Sequence, residues 1–190
     1  AKDTAPGGWA FEFANNAYPD IDDTAEVLIA LNRVRLDDQQ RKEDSIKRGA
    51  EWILGVQSKN GGWAAFDKDN TRSAVAKIPF ADFGEMIDPP SADGTAHVVE
   101  ALARLGYSED MKPLQRAIKY LWDEQEPDGS WFGRWGVNYI YGTGAILPAL
   151  EALDKDMGSE MVRRAVNWVL AHQNEDGGWG ESCASYGDPS

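Results

Sequence analysis

The stretch DDTAEVLIAL at residues 22–31 decides the fold, because two similar stretches follow it along the chain. They read DGTAHVVEAL at residues 93–102 and YGTGAILPAL at residues 141–150. Each is a threonine followed by an almost wholly apolar run, and a helix without a polar face is buried on most sides. The three stretches therefore predict three equivalent interior helices. Pro148 predicts a kink or a late start in the third, because proline removes one backbone donor.

A second pattern alternates with the first, and each copy follows an amphipathic helix. The copies read QSKNGGW at residues 57–63, QEPDGSW at residues 125–131 and QNEDGGW at residues 173–179. Each contains an Asn-Gly or Asp-Gly turn. Thr95 and Thr143 are separated by the same number of residues as Gln125 and Gln173. The two patterns therefore belong to one repeated unit.

The repeated unit is an inner apolar helix, an outer amphipathic helix and a Gly-x-Trp turn. Such hairpins stack into an open solenoid or a closed α/α barrel, and the apolar inner helices favour the barrel. The predicted fold is therefore all-α. PGGW at residues 6–9 resembles the end of an earlier turn, so we expect residues 1–190 to be three hairpins of a longer barrel. We expect the inner faces to leave contiguous apolar surface exposed at Val27, Leu28, Val98, Val99, Ile146 and Leu147.

Composition excludes several classes of function. The chain has 190 residues, a net charge of −13 and a pI of about 4.5, whereas nucleic-acid binding needs basic patches. Cys183 is the only cysteine, so an internal disulfide and a cysteine-based metal cluster are excluded. The only histidines are His97 and His172, too few for a histidine-rich metal site. We therefore expect neither nucleic acid nor a metal ion as a ligand.

Three carboxylates, Asp20, Asp22 and Asp23, lie just before the first apolar run. Asp23 with Glu26 three residues later has the pattern of an N-cap and capping box. The simplest interpretation of the cluster is a solvated helix cap. One cap needs one aspartate, however, and three carboxylates at a buried helix mouth repel each other unless some are protonated. The cluster is therefore also a candidate for an acid that stays protonated near neutral pH.

The repeat predicts that other functional groups reach the same place. Asp93 matches Asp22 in the second unit and Tyr141 matches it in the third, while His97 matches Glu26. Taken alone, His97 is explained as well by capping or packing. The repeat does not explain a set of aromatic residues in the loops and at the third helix mouth: Phe11, Phe66, Trp135 and Tyr141. Because ring faces attract cations without being nucleophilic, aromatic rings beside an acid suit carbocation chemistry.

Several motifs together resemble the squalene–hopene cyclase family of class II triterpene cyclases. DIDDTA at residues 20–25 is similar to the DxDDTA acid motif, and the three Gln-to-Trp runs are similar to the QW repeats. Further similar runs are PGGWAF at 6–11, PFADFGE at 79–85, DPPS at 88–91 and WFGRWGVNY at 131–139. The resemblance covers the chain from about Pro6 to Ser190.

The resemblance implies a role for each of these residues. Asp22, the middle aspartate of the motif, is the expected proton donor, His97 its partner, and Asp20, Asp23 and Tyr141 its support. The expected substrate-binding residues are Phe11, Phe66, Phe80, Trp135 and Tyr141. Phe66 stands where some members have tyrosine, so a hydrogen-bonding role at that position is in doubt.

The resemblance also implies the setting of the reaction. The expected substrate is squalene and the products are hopene and hopanol, with no metal or other cofactor. The expected fold is part of an (α/α)6-type barrel over residues 1–190, with the remaining hairpins and a second α-barrel domain outside the chain. Peripheral contact with the cytoplasmic face of a membrane, through those absent parts, is implied as well. A homodimer is one arrangement that the resemblance allows.

Three alternatives remain open from the sequence. A class II diterpene cyclase acts on a prenyl diphosphate, but no clear set of basic or Mg²⁺-binding groups is present. A zinc prenyltransferase subunit shares the barrel, but its site needs a cysteine ligand and Cys183 is the only thiol. A non-catalytic helical-repeat scaffold explains the repeats but not the acid cluster and the aromatic residues.

Overall fold

The computed structural model describes residues 4–70 and 88–186, and within these residues the chain forms six α-helices and no β-strand. The helices are α1 (Ile21–Arg33), α2 (Gln39–Gly55), α3 (Ala92–Arg104), α4 (Lys112–Asp123), α5 (Asn138–Ala152) and α6 (Glu160–Ala171). A short 3-10 helix spans Cys183–Tyr186. The prediction of an all-α fold is confirmed.

The helices pack as three hairpins side by side. The inner helix α3 lies between α1 and α5, and α2, α4 and α6 each pack on the inner helix of their own hairpin. Fully buried apolar residues from all three hairpins meet in one core, among them Leu28, Leu102 and Ile146. This inner and outer arrangement is that of an α/α-barrel segment, as the sequence predicts.

The tryptophan of each Gly-x-Trp turn links an outer helix to the next inner helix. The indole of Trp63 is fully buried and its Nε1 donates to the carbonyl of Ile53 in α2 at 2.8 Å. Its backbone N–H donates to Oγ1 of Thr95 in α3 at 2.9 Å. Trp131 makes the same two bonds, to the carbonyl of Leu121 and to Thr143. The repeated threonine is therefore the acceptor for the preceding turn.

The glutamine of the same motif links neighbouring outer helices. Nε2 of Gln57 donates to the carbonyl of Gly61 in its own turn and to the carbonyl of Pro113 at the start of α4, both at 2.8 Å. Nε2 of Gln125 reaches Gly129 and Met161 of α6 in the same way. Each turn therefore sets the position of the next hairpin.

Of the two outcomes that Pro148 predicts, the late start of the third inner helix is wrong. Helix α5 begins at Asn138, two residues earlier than the repeat predicts, where Oε2 of Glu181 accepts the N–H groups of Asn138 and Ile140 at 3.0 and 2.8 Å. Pro148 lies within the helix. It lies on an exposed side together with Gly144, one turn earlier, so water can reach the carbonyl that the proline leaves without a donor.

The expectation of exposed apolar inner faces is also wrong. Leu28, Val98, Val99 and Ile146 are fully buried, and Val27 and Leu147 are half-buried. The inner helices cover these residues by packing on one another and on the outer helices. Charged side chains occupy much of what stays accessible on α1 and α3, namely Glu26, Arg33, Glu100 and Arg104.

Candidate active site

Asp20 is the buried member of the acid cluster. It is the N-cap of α1, and its Oδ1 accepts the backbone N–H groups of Asp22 and Asp23 at 2.7 and 3.2 Å. The prediction of Asp23 as the N-cap, with a capping box to Glu26, is therefore wrong. Asp20 takes this place because its own backbone is extended and pairs with Trp9, which turns its side chain onto the first helical amides.

The cluster is not the solvated cap of the simplest interpretation. Asp20 is buried, and burial raises its pKa to about 6 despite the two amide hydrogen bonds. Burial and the charge of Asp22 also raise the pKa of Asp23. Part of this cluster therefore holds protons at a pH where ordinary aspartates are ionised.

Asp22 and His97 are in direct contact. Oδ1 of Asp22, in the first turn of α1, is hydrogen-bonded to Nδ1 of His97 in the second turn of α3. Burial alone lowers the pKa of His97, but the hydrogen bond with Asp22 and the charges of Asp22, Glu26 and Asp93 outweigh it and raise the pKa. The expected pairing of these two residues is confirmed, and the histidine is biased toward its charged form.

Tyr141 completes this group from the third inner helix. Its ring centre is 6.3 Å from that of His97, in an edge-on arrangement. Burial, followed by the charges of Asp93, Asp22 and Glu26, raises the pKa of Tyr141. Its hydroxyl is therefore neutral at any physiological pH. The three inner helices thus bring together the groups that the repeat matches.

Two of the expected substrate-binding aromatics, Phe66 and Trp135, lie in loops held against the inner helices. The carbonyl of Ala65 accepts the N–H of Ile21, and the N–H of Trp135 donates to Asp93. The rings of Phe66 and Trp135 are 6.3 Å apart and nearly perpendicular. Tyr18, which the sequence analysis did not single out, lies 5.1 Å from Phe66 on the other side. Trp135 remains 37% exposed, so its ring is available to a ligand.

Of the other two expected aromatics, only Phe11 lies within the described residues. Phe11 is 76% exposed and has no ring contact within residues 4–70 and 88–186. Phe80 lies outside the described residues. Their predicted role in substrate binding stays a prediction.

Three polar residues organise the aromatic loops, a role that the sequence analysis assigned to none of them. Asp93 is fully buried, and its Oδ2 accepts the backbone N–H groups of Arg134 and Trp135, both at 2.9 Å. Asp88 accepts the backbone N–H of Phe66 at 3.0 Å and lies 3.3 Å from the guanidinium Nε of Arg134. The match of Asp93 to Asp22 in the repeat placed Asp93 near the acid cluster but did not indicate that it holds a loop. Asp88 and Arg134 lie in the family-like runs at 88–91 and 131–139, and nothing in these runs indicates that the two residues pair.

The arrangement supports acid chemistry on an apolar molecule. It combines a proton-bearing carboxylate cluster, a histidine able to stabilise the carboxylate left behind, and ring faces for a positive charge. Among the described residues, no cluster of three or more histidine, cysteine or acidic side chains is arranged to hold a metal ion. No helix in the described part of the chain is long and apolar enough to span a membrane.

The model of a protein family described as the squalene-hopene cyclase C-terminal domain matches residues 1–190. A squalene–hopene cyclase from Alicyclobacillus acidocaldarius is 56% identical over 185 residues, which are 97% of this chain and 29% of that protein. One from Zymomonas mobilis is 49% identical over 186 residues, 97% of this chain and 28% of that protein. The chain thus spans less than a third of the length of these relatives.

Among solved structures, an ent-copalyl diphosphate synthase from Streptomyces platensis superimposes with a TM-score of 0.56 at 24% sequence identity. The match covers 82% of this chain and 27% of that one. At this level of identity the likeness concerns the fold alone. It agrees with the assignment of the three hairpins to an α/α barrel.

Proposed function

The chain belongs to the squalene–hopene cyclase family, and on that premise we propose that the full-length protein cyclises squalene to hopene and hopanol. The observation that carries the proposal is the contact between Asp22 and His97 at the mouth of two buried helices, beside the rings of Phe66 and Trp135. A carboxylic acid, its cationic partner and aromatic ring faces are what protonation of an alkene requires.

Asp22 is the proposed proton donor. Its carboxyl proton moves to the CH carbon of a terminal double bond of squalene, the alkene electron pair forms the new C–H bond, and a tertiary cation remains on the carbon that carries the two methyl groups. The resulting cation is attacked by the next double bond, and each attack forms one ring bond and moves the positive charge along the chain. Loss of a proton from the last cation gives hopene, and capture of water gives hopanol, so the proton taken from Asp22 is returned to solvent.

The neighbours of Asp22 make this transfer feasible. An alkene is a very weak base, so the donor must be a strong acid that still holds its proton. The buried Asp20 and the partly buried Asp23 disfavour additional negative charge in the cluster. Once the proton has left, a charged His97 stabilises the carboxylate of Asp22 through their hydrogen bond.

The aromatic rings stabilise the carbocation that forms after protonation. Phe66 and Trp135 offer ring faces that attract a cation within about 6 Å but do not form bonds with it. Excluding water from this space keeps the cation from being quenched early.

The test is Asp22→Asn in the full-length protein, which keeps the size of the side chain and removes its acidic proton. We expect squalene conversion to fall by at least about a thousandfold, in line with the loss of a catalytic acid. Asp37→Asn, on the exposed segment after α1, is the matched control and should convert squalene normally.

Product analysis by gas chromatography gives the outcome. A folded Asp22→Asn protein that forms hopene at the normal rate contradicts the assignment of the acid. A full-length protein that ignores squalene but cyclises a prenyl diphosphate contradicts the proposed substrate.

We further infer that the full-length enzyme works as a peripheral protein at the cytoplasmic face of the membrane. Squalene is wholly apolar and partitions into lipid bilayers, so its enzyme gains by contact with them. The contact is expected from parts of the protein outside this chain. Cell fractionation tests this: recovery of the enzyme with the membranes supports it, and recovery in the soluble fraction contradicts it. Light scattering of the detergent-solubilised protein decides whether it is a homodimer.

A further inference from the structure

The two aromatic loops of the site are joined by an ion pair. Asp88 precedes α3 and Arg134 lies in the loop before α5, and the distance from Oδ1 to Nε is 3.3 Å. The two side chains are only 14% and 13% exposed. Neither residue caps a helix, since Ser91 and Val137 occupy the N-cap positions of α3 and α5. The reaction proposed above does not use this pair.

Each member of the pair holds one of the two rings. Oδ2 of Asp88 accepts the backbone N–H of Phe66 at 3.0 Å. The guanidinium carbon of Arg134 lies 5.6 Å from the ring centre of Trp135. The rings of Phe66 and Trp135 are themselves in contact, edge to face. The four residues therefore form a closed circuit: Phe66, Asp88, Arg134, Trp135 and back to Phe66.

This circuit of contacts restricts the relative position of the two rings, which the local sequence around each ring does not determine. Phe66 and Trp135 come from loops that are far apart in the sequence and belong to different hairpins. Asp93 holds the backbone of Trp135 through its N–H group, but a backbone bond leaves the direction of the indole open. The ion pair and the ring contact both restrict the distance and angle between the two rings.

Stability alone does not explain a buried ion pair at this place. Removing two charges from water has a large desolvation penalty, and replacing such pairs by apolar residues of similar volume is often neutral or stabilising. Burial accordingly raises the pKa of Asp88, against the Phe66 amide and the Arg134 charge. An ordinary apolar contact would hold the loops together, but it would supply neither the carboxylate that accepts the Phe66 N–H nor the charge that lies beside the Trp135 ring.

We propose that Asp88 and Arg134 are positioning residues for the cyclisation, which set the spacing of Phe66 and Trp135 and so determine how completely squalene is cyclised. This inference rests on the proposed function. At each cationic stage, ring closure competes with loss of a proton, which ends the reaction with fewer rings. The attraction between a cation and a ring face falls off steeply with distance and angle, so a displaced ring favours early proton loss.

The test uses the full-length enzyme with Asp88→Asn, Arg134→Gln and the double variant, each incubated with squalene. Asparagine keeps an oxygen for the Phe66 N–H and loses only the charge. We expect the ratio of incompletely cyclised hydrocarbons to hopene to rise about tenfold, the size of one lost cation–ring contact. Squalene consumption should fall by a smaller factor. Because the two residues act as one unit, the double variant should resemble the worse single variant.

Two comparisons separate positioning from general damage. Phe66→Ala should give the same incompletely cyclised products as Asp88→Asn, since both disturb the same ring. Glu109→Gln removes another ion pair, with Lys155 at 2.8 Å, which lies away from the rings, and it should leave the product ratio unchanged. Thermal unfolding establishes that each variant is folded. If Asp88→Asn does not fold, Arg134→Lys, which keeps the charge but loses the planar fork, decides in the same way.

The outcomes are distinct. An unchanged product ratio in folded variants of Asp88 and Arg134, whether or not the rate falls, overturns the positioning role and leaves the proposed function standing. An unsubstituted enzyme that forms no cyclised product from squalene overturns the proposed function itself. A raised ratio in the Asp88 and Arg134 variants but not in Glu109→Gln supports the inference.

Discussion

At the scale of single residues, Asp20 has two roles that oppose each other. Its carboxylate caps α1, which favours the ionised form, while its burial favours the protonated form and prevails. A buried acid of this kind lowers the stability of the folded protein at neutral pH. This is the conflict between local rules and function that is expected at an active site.

We predict that Asp20→Asn stabilises the folded protein above pH 6. Asparagine is an equally good N-cap and carries no charge. The pKa of Asp20 is 3.8 in the unfolded protein and about 6 in the folded protein. Ionised Asp20 therefore lowers the free energy of unfolding, by an amount that is absent below pH 3.8 and grows up to pH 6. The gain should reach about 2–3 kcal/mol at pH 7. Denaturant unfolding at pH 4 and pH 7.5 measures it, with Asp37→Asn as control. Equal stability of both proteins at pH 7.5 contradicts the raised pKa.

A second prediction at this scale concerns His97. Its folded pKa is raised above 6.5, so its contact with Asp22 contributes fully below pH 6.5 and is lost as the pH rises through the folded value. Squalene turnover should therefore decline on the alkaline side. In His97→Gln, turnover should be low throughout and lack this decline, and stability at pH 6 should fall by about 2 kcal/mol. Turnover profiles of the two proteins between pH 5.5 and 9 make the comparison. An identical alkaline decline in both assigns it to another group.

At the scale of the helices, the Gly-x-Trp turns act as spacers between hairpins. Gly61 has a φ of +101°, and a Cβ built on it lies 2.4 Å from the backbone oxygen of Arg116 in α4. Gly129 is in the same conformation, and a Cβ built on it lies 2.8 Å from the backbone carbonyl carbon of Arg164 in α6. Glycine is thus required twice, once for the turn and once for the close approach of the next outer helix.

We predict that Gly61→Ala is considerably more destabilising than Gly106→Ala. Both glycines have positive φ, at +101° and +89°, so alanine strains the backbone at each by about 1–2 kcal/mol. Only Gly61 faces a neighbour, since a Cβ at Gly106 has nothing within 4 Å. The overlap with α4 should add about 1–3 kcal/mol at Gly61. Thermal unfolding of the two variants provides the measurement, and equal losses argue against close packing of the hairpins at the turn.

At the scale of the whole molecule, the hairpins differ in how well they are covered. Trp63 and Trp131 are fully buried, whereas Trp179 is 43% exposed although it makes the same indole hydrogen bond, here to the carbonyl of Val169. Within the described residues, no further hairpin packs on the third turn. Other exposed apolar side chains lie in the first loop and on α6, including Phe11, Phe13 and Leu170.

We predict that residues 1–190 produced alone do not convert squalene and associate with one another. The aromatic site is open to water, which quenches a cation, and the exposed rings favour contact between copies. The net charge of −13 opposes this association, so it should increase with salt concentration. Light scattering at 0.05 and 0.5 M salt tests the association, and product analysis tests the loss of squalene conversion. If residues 1–190 alone are monomeric and form hopene, the hairpins outside this chain are not needed to enclose the site.

The sequence by itself determined the features that depend on residues close together in the chain. The apolar runs and the glutamine-to-tryptophan turns predict the three hairpins, and the threonine register predicts that Asp22 and His97 meet. These signals are periodic, and helix geometry converts the period directly into a shared face.

Only the tertiary structure decided the features that depend on distant residues. Asp20 became the N-cap because Trp9 pairs with its backbone, and α5 starts early because Glu181 reaches back to it. Which faces are buried depended on how α1, α3 and α5 pack together. The ion pair of Asp88 and Arg134 joins two hairpins across loops without any repeat. Such contacts leave no periodic trace in the sequence, because the free energy of each depends on a distance that the rest of the fold sets.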